Sequence, residues 1–172
     1  GLFREKYNLV ALTEGNIASS VAAGDLNGDG WTDLVSATSE TIAWHKNTDG
    51  KGMYGDQIIL LNKTFGDNYG PYSNVIIADL NSDGWNDLVL SVQEEFIQKI
   101  AWFPNIDGKG NFGDQLTATT STGVISAVGD MNGDGFMDLI SVAYNNGYDR
   151  ETVFAWYQNI DGQGNFGEPN II

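Results

Sequence analysis

The chain repeats itself, and this constrains its fold more than any other feature. Three nine-residue segments follow one pattern: Asp25-Leu-Asn-Gly-Asp-Gly-Trp-Thr-Asp33, Asp79-Leu-Asn-Ser-Asp-Gly-Trp-Asn-Asp87 and Asp130-Met-Asn-Gly-Asp-Gly-Phe-Met-Asp138. They open 54 and 51 residues apart. A second block keeps the same phase, as IAWHKNTDGKGMYGDQ from Ile42, IAWFPNIDGKGNFGDQ from Ile100 and FAWYQNIDGQGNFGEP from Phe154. Two independent blocks in step are not a coincidence of composition. The 172 residues are read as three copies of one supersecondary unit, so the fold must let such copies stack.

Each unit reads as four strands. The first precedes the acidic segment (Ser20–Gly24, Asn74–Ala78, Ile125–Gly129) and the second follows it (Asp33–Ala37, Asp87–Val92, Asp138–Ala143). The third carries the Ala-Trp pair. An Asp-Gly turn, a strong hairpin signal between strand-like runs, then leads to a fourth strand starting near Tyr54, Phe112 and Phe166. No stretch keeps a helical period. Small residues crowd the first strand (Ala22, Ala23, Gly24; Ala78; Ala127, Gly129), as in a strand packed around a central axis. The expected fold class is all-β: β-propeller-type blades in three four-stranded antiparallel repeats. Residues 18–62, 63–116 and 117–172 are the expected blades, and 1–17 hold a spare N-terminal strand segment, Tyr7–Leu12. Closure takes about four to eight blades. The chain is therefore expected to be a partial propeller or part of a multi-chain assembly, with a sandwich of three antiparallel sheets as the alternative.

In D-x-N-x-D-G-x-x-D, side-chain oxygens fall at positions 1, 3, 5 and 9, with a backbone carbonyl near position 7. The residues are Asp25, Asn27, Asp29, Trp31 and Asp33; Asp79, Asn81, Asp83, Trp85 and Asp87; and Asp130, Asn132, Asp134, Phe136 and Asp138. A hard, oxygen-only set on a tight turn suits Ca²⁺, whereas Mg²⁺ demands stricter octahedral geometry and Zn²⁺ favours His or Cys. The glycine at position 6 (Gly30, Gly84, Gly135) permits the sharp turn. A plain Asp/Asn/Gly hairpin cap would account for one copy. Three copies that keep every polar position, with carboxylates that repel one another, point to metal: about three Ca²⁺ ions. Nine of the 23 acidic residues lie in these loops, and three Ca²⁺ would take the formal net charge from −15 to −9. The loops are not EF-hands, because position 12 falls on strand residues such as Ser36 and Leu90 and is never Glu.

The charge balance narrows the partners. With 8 Lys+Arg against 23 Asp+Glu the chain has no basic cluster for phosphate, which argues against nucleic acid and anionic membrane surfaces. No apolar run approaches the length of a membrane-spanning helix, so no membrane insertion is expected. Gly1 to Lys6 lack the apolar core of a signal peptide, and the first residue is Gly, as expected if a leader or longer precursor has been removed. Cysteine is absent, which excludes disulfides and a thiol nucleophile. Every repeated Asp has a role in a loop, leaving no paired carboxylates for glycosidase chemistry, and no base is placed to activate a Ser or Thr. His45, the only histidine, stands where the other units have Phe103 and Tyr157, and reads as a packing or surface residue. The chain is expected not to be an enzyme.

The acidic segment with its following Asp-Leu-Val-type strand, together with the Ala-Trp…Asn-x-Asp-Gly-x-Gly-x-Phe-Gly block, resembles FG-GAP/VCBS repeats, the repeats of integrin α-chain-like β-propellers. The resemblance runs from about Ala18 to Pro169. It implies a seven-bladed propeller, Ca²⁺ in the loop between strands one and two, and an extracellular or cell-surface setting. Members of the family serve in adhesion, in sugar binding, or as domains appended to secreted enzymes. The departure is the blade count, three units in place of seven.

Loop lengths divide each unit into a constant and a variable end. The acidic segment and the Asp-Gly turn barely vary. The span from the last loop Asp to the repeated Trp grows from 11 to 15 to 18 residues, and the linkers between units differ as well. The variable connections, Phe65–Ser73, Gln93–Gln98 and Tyr144–Glu151, are the expected binding surface for a protein or glycan ligand. Trp44, Trp102 and Trp156 recur at one position and read as core ahead of sugar platforms, while Trp31, Trp85 and Phe136 are expected to pack between blades. Asn62 opens the one N-glycosylation sequon, and the run Thr117 to Thr122 reads as strand and loop or as an O-glycan site. Exposed terminal blades and the spare segment predict self-association. The functional expectation is a calcium-binding extracellular module with a structural, adhesive or ligand-binding role. A lectin with sugar sites between blades and a non-catalytic fragment of a larger secreted enzyme are the alternatives.

Overall fold

A computed structural model describes residues 18–38, 41–62, 72–94, 97–119, 123–144 and 152–172. The spare segment Tyr7–Leu12, and most of the connections 65–73 and 144–151, lie outside them. The described strands are β1 (Ala18–Gly24), β2 (Asp33–Thr38), β3 (Thr41–His45), β4 (Ile58–Asn62), β5 (Tyr72–Ala78), β6 (Asp87–Glu94), β7 (Ile97–Phe103), β8 (Leu116–Thr119), β9 (Val124–Gly129), β10 (Asp138–Tyr144), β11 (Thr152–Tyr157) and β12 (Asn170–Ile171). They form three four-stranded antiparallel sheets, in the orders β1-β2-β3-β4, β5-β6-β7-β8 and β9-β10-β11-β12. None closes on itself, and β1 packs against β5 and β5 against β9, the arrangement of three consecutive propeller blades. Among the described residues no helix is long and apolar enough to cross a membrane.

One register serves all three blades: Leu34 pairs with His45, Leu88 with Phe103 and Leu139 with Tyr157. The fourth strands begin later than expected, at Ile58, Leu116 and Asn170. Tyr54, Phe112 and Phe166 instead make single bridges to Asn47, Asn105 and Asn159. The next residue in each unit, Gly55, Gly113 or Gly167, gives its N–H to the carbonyl of Lys46, Pro104 or Gln158, and the chain leaves the ladder before rejoining it. The boundary expected at 116/117 falls inside β8, which completes the second sheet.

The cores lie between blades. Strand residues alternate faces, so a sheet covered on both sides must be apolar on both, which is why the second strands read as nearly unbroken apolar runs. Val35, Ala37, Ile42 and Trp44 of blade one meet Val75, Leu88, Leu90, Val92, Ala101 and Phe103 of blade two. The opposite face of blade two presents Val89, Ile100 and Trp102 to Ile125, Leu139, Ala155 and Tyr157 of blade three. The outer face of blade three shows what a following blade would cover. Leu26 is 1% exposed and Leu80 0%, but their counterpart Met131 is 45% exposed. Ile42 and Ile100 are fully buried, but their counterpart Phe154 is 49% exposed.

Candidate metal centre

The three acidic loops join β1 to β2, β5 to β6 and β9 to β10, all at the same end of their sheets. Each is wound around its first carboxylate. Asp25 accepts the Gly28 N–H on Oδ1 and the Gly30 N–H on Oδ2, both at 2.8 Å. Asp79 Oδ2 accepts from Gly84, and Asp130 Oδ2 from Gly135, each at 2.9 Å. The glycine at position 6 lies in the left-handed region (φ 82°, 88° and 91°), where a side chain would be strained. Position 3 accepts the N–H of position 5, from Asn27, Asn81 and Asn132 at 3.0, 3.2 and 2.9 Å. Position 5 accepts the N–H of position 7, the backbone of Trp31, Trp85 or Phe136. The loops are thus successive Asx turns with oxygens at positions 1, 3 and 5 on one short, exposed stretch of chain.

Position 9 has a task that spacing did not reveal. Asp33, Asp87 and Asp138 are fully buried. One oxygen of each accepts the N–H of position 2 of its own loop: Leu26 at 3.3 Å, Leu80 at 2.9 Å and Met131 at 2.9 Å. The other accepts the N–H of the asparagine that opens the Asp-Gly turn: Asn47 at 2.7 Å, Asn105 at 2.8 Å and Asn159 at 2.8 Å. This carboxylate therefore ties the acidic loop to the turn beside it. Burial pushes the Asp87 carboxyl up to about 6, against the pull of the Asn105 and Leu80 N–H groups, and burial raises Asp33 in the same way. At position 5 the balance is reversed. Desolvation works to raise Asp29, but the Trp31 N–H and the Lys46 ammonium hold it below the ordinary carboxylate range. The Phe136 N–H and the Asn132 amide do the same for Asp134.

The asparagines are the functional residues that motif spacing left unread, although they recur in phase within the second block. Asn105 Nδ2 donates across the blade boundary to Leu26 O at 2.9 Å, and Asn159 Nδ2 donates to Leu80 O at 2.8 Å. Each turn thereby clamps the acidic loop of the preceding blade. Trp31, Trp85 and Phe136 do not pack between blades as expected. Their rings lie against Gly50, Gly108 and Gly162 of their own Asp-Gly turns, because loop and turn share one end of one sheet. Trp44 and Trp102 are buried between blades at 6% and 3% exposure, as core residues should be, while Trp156 is half-buried. His45 is buried with Nε2 3.1 Å from Ser36 Oγ, and burial lowers its pKa. Asn62 ends β4, with the rest of its sequon outside the described residues. Among the described residues no three Asp, Glu or His side chains gather around one point. The donor set still fits a hard cation. Positions 1, 3, 5 and 9 of each loop offer side-chain oxygens, the donor type that a hard cation prefers.

The model of the FG-GAP-like repeat matches residues 25–90 and again 79–141. Together the two matches take in both acidic loops and both Ala-Trp blocks of blades one and two, and run through the third loop. The chain belongs to the FG-GAP-like repeat family. No curated protein matches it.

Proposed function

From its membership of the FG-GAP-like repeat family, we propose that the chain is a calcium-binding, non-enzymatic repeat module. We place it in an extracellular or cell-surface setting, where it engages a protein or glycan through the variable ends of its blades and associates with further copies of itself. The observation that carries the calcium reading is the triplicate loop. Asp25, Asn27 and Asp29, with Asp79, Asn81 and Asp83 and with Asp130, Asn132 and Asp134, would hold the ions. The buried Asp33, Asp87 and Asp138 brace the loops, and with the backbone carbonyls of Trp31, Trp85 and Phe136 they would complete each oxygen shell. A bound divalent cation supplies charge that offsets the mutual repulsion of carboxylates on one short loop.

Self-association draws its support from the outer face of blade three, where Met131 and Phe154 stand exposed at positions that a neighbouring blade buries elsewhere in the chain. The lectin alternative has less to draw on. Trp44 and Trp102 lie under neighbouring blades, and Trp156 alone offers part of its ring.

Thermal melting with excess CaCl₂ and with excess chelator tests the calcium reading. The expected result is a midpoint raised by several degrees in calcium, since a ligand that binds only the folded state stabilises it by mass action. Equal midpoints would overturn it. Mass measurement by light scattering tests association, and a concentration-independent 18.7 kDa particle would refute it.

A further inference from the structure

The three loops differ in what reaches the carboxylate at position 5. In loops two and three the amide at position 3 donates to the carboxylate at position 5: Asn81 Nδ2 to Asp83 Oδ2 and Asn132 Nδ2 to Asp134 Oδ2, both at 2.8 Å. In loop one the matching oxygen, Asp29 Oδ2, lies 3.4 Å from Lys46 Nζ. Asn27 Nδ2 is buried and makes no hydrogen bond. Lys46 immediately precedes the clamp residue Asn47, and the other units have Pro104 and Gln158 at that position. Proline has no side-chain donor. Gln158 Nε2 reaches Asp134 Oδ2 at 3.4 Å but carries no charge. Loop one therefore brings a cation of its own to the oxygen that a divalent ion would use.

We propose that Lys46 makes the first loop the weakest of the three divalent-cation sites, acting as a tethered counter-ion that an incoming Ca²⁺ must displace. This rests on the calcium-binding reading above. An ammonium and a divalent ion sharing one carboxylate repel each other. The Lys46 side chain is 41% exposed, so the ammonium can swing into water on its flexible stem. The repulsion is thereby limited to an effect on the order of tenfold in affinity. Asn27 completes the contrast. Once the ammonium leaves, its Nδ2 can take Asp29 Oδ2 as Asn81 and Asn132 take their counterparts.

Calorimetric titration of the metal-stripped chain with CaCl₂ tests this, using the wild type, Lys46→Gln and Gln158→Lys. The wild type should show two tighter sites and one weaker by about tenfold. Lys46→Gln should bring the third site level with the others, and Gln158→Lys should create a second weak site. Each substitution exchanges residues that the chain already accommodates at this position in another blade. If Lys46→Gln does not fold, Gln158→Lys decides the matter alone. Three ions bound with isotherms that neither substitution changes would overturn the role of Lys46 and leave the calcium reading intact. Absence of Ca²⁺ binding in every variant would refute the calcium reading, and the role of Lys46 with it.

Discussion

Asp87 holds Asn105 in place: its Oδ1 accepts the Asn105 N–H at 2.8 Å, and the Asn105 side chain reaches across the blade boundary to Leu26 O at 2.9 Å. A carboxylate at the end of one loop thus aims the amide that secures the loop of the preceding blade. Asp138 and Asn159 repeat the arrangement against Leu80 O, at 2.8 Å for each bond. Local loop geometry and the stacking of blades are coupled through the same buried side chain.

Asp87→Ala should therefore cost far more than a loop substitution. It strips the acceptor from two buried N–H groups, those of Leu80 and Asn105, and frees the clamp on Leu26. A loss of about 3 kcal/mol is expected. Asp83→Ala, on the exposed rim of the same loop, should cost less than about 1 kcal/mol in the absence of metal. Urea unfolding in chelator measures both, and equal losses would show that position 9 has no special structural role.

The repeat unit and its strand order were legible because Asp, Asn and Gly act over a few residues. An Asx turn needs only its own N–H groups, so D-x-N-x-D-G specifies its loop wherever it occurs. What depended on a neighbouring element was not legible. Trp31 has an indole ring that could cover either a blade boundary or its own turn, and only the closeness of Gly50 decides between them. Asp33 reads as one more oxygen of the motif, and its second task, accepting the N–H of Asn47 fourteen residues later, appears only in the fold. The late start of β4 follows from a single bridge at Tyr54, a backbone event without a side-chain signature.

Position 4 of the loops offers a stabilising substitution. Gly28 and Gly133 have φ values of 70° and 80°, and Ser82, their counterpart, has φ 59°, the one non-glycine residue with positive φ among the described residues. A serine is strained in that region, and glycine is not. Ser82→Gly should raise the unfolding free energy by about 1 kcal/mol, the relief of strain exceeding the added freedom of the unfolded chain. A lower urea midpoint would sink this expectation.

His45 should make stability fall in mild acid. Burial depresses its pKa below 6.5, so near pH 6 the unfolded chain binds more protons than the folded one. The stabilisation is complete above the unfolded pKa and is lost as pH drops through the folded value. Blade two fills the corresponding places with Leu90 and Phe103, so the double variant Ser36→Leu with His45→Phe should fold. Comparison of unfolding free energies at about pH 7.5 and about pH 5 should show the wild type losing more stability than the variant. Parallel losses would remove His45 as the cause.

Gly110 and Gly52 form a matched pair that isolates the steric cost of the blade boundary. Both follow the Asp-Gly turn at the same position of their units, with φ of 84° and 94°. A Cβ on Gly110 would stand 2.6 Å from the Trp44 ring of the preceding blade, whereas at Gly52 nothing among the described residues lies within 4 Å. Alanine at either site carries the left-handed backbone penalty of about 1–2 kcal/mol. At Gly110 it must in addition push apart a packed ring and a turn, which typically adds about 1–3 kcal/mol. The difference between Gly110→Ala and Gly52→Ala therefore reports the contact itself, free of the shared backbone term. A second substitution, Trp44→Leu, should shrink that difference by removing the ring that the new methyl meets. Urea unfolding of the four variants, read as a double-mutant cycle, should give a coupling of at least 1 kcal/mol between residues 44 and 110. Strict additivity would mean that the turn yields freely and that Gly110 is not fitted to Trp44.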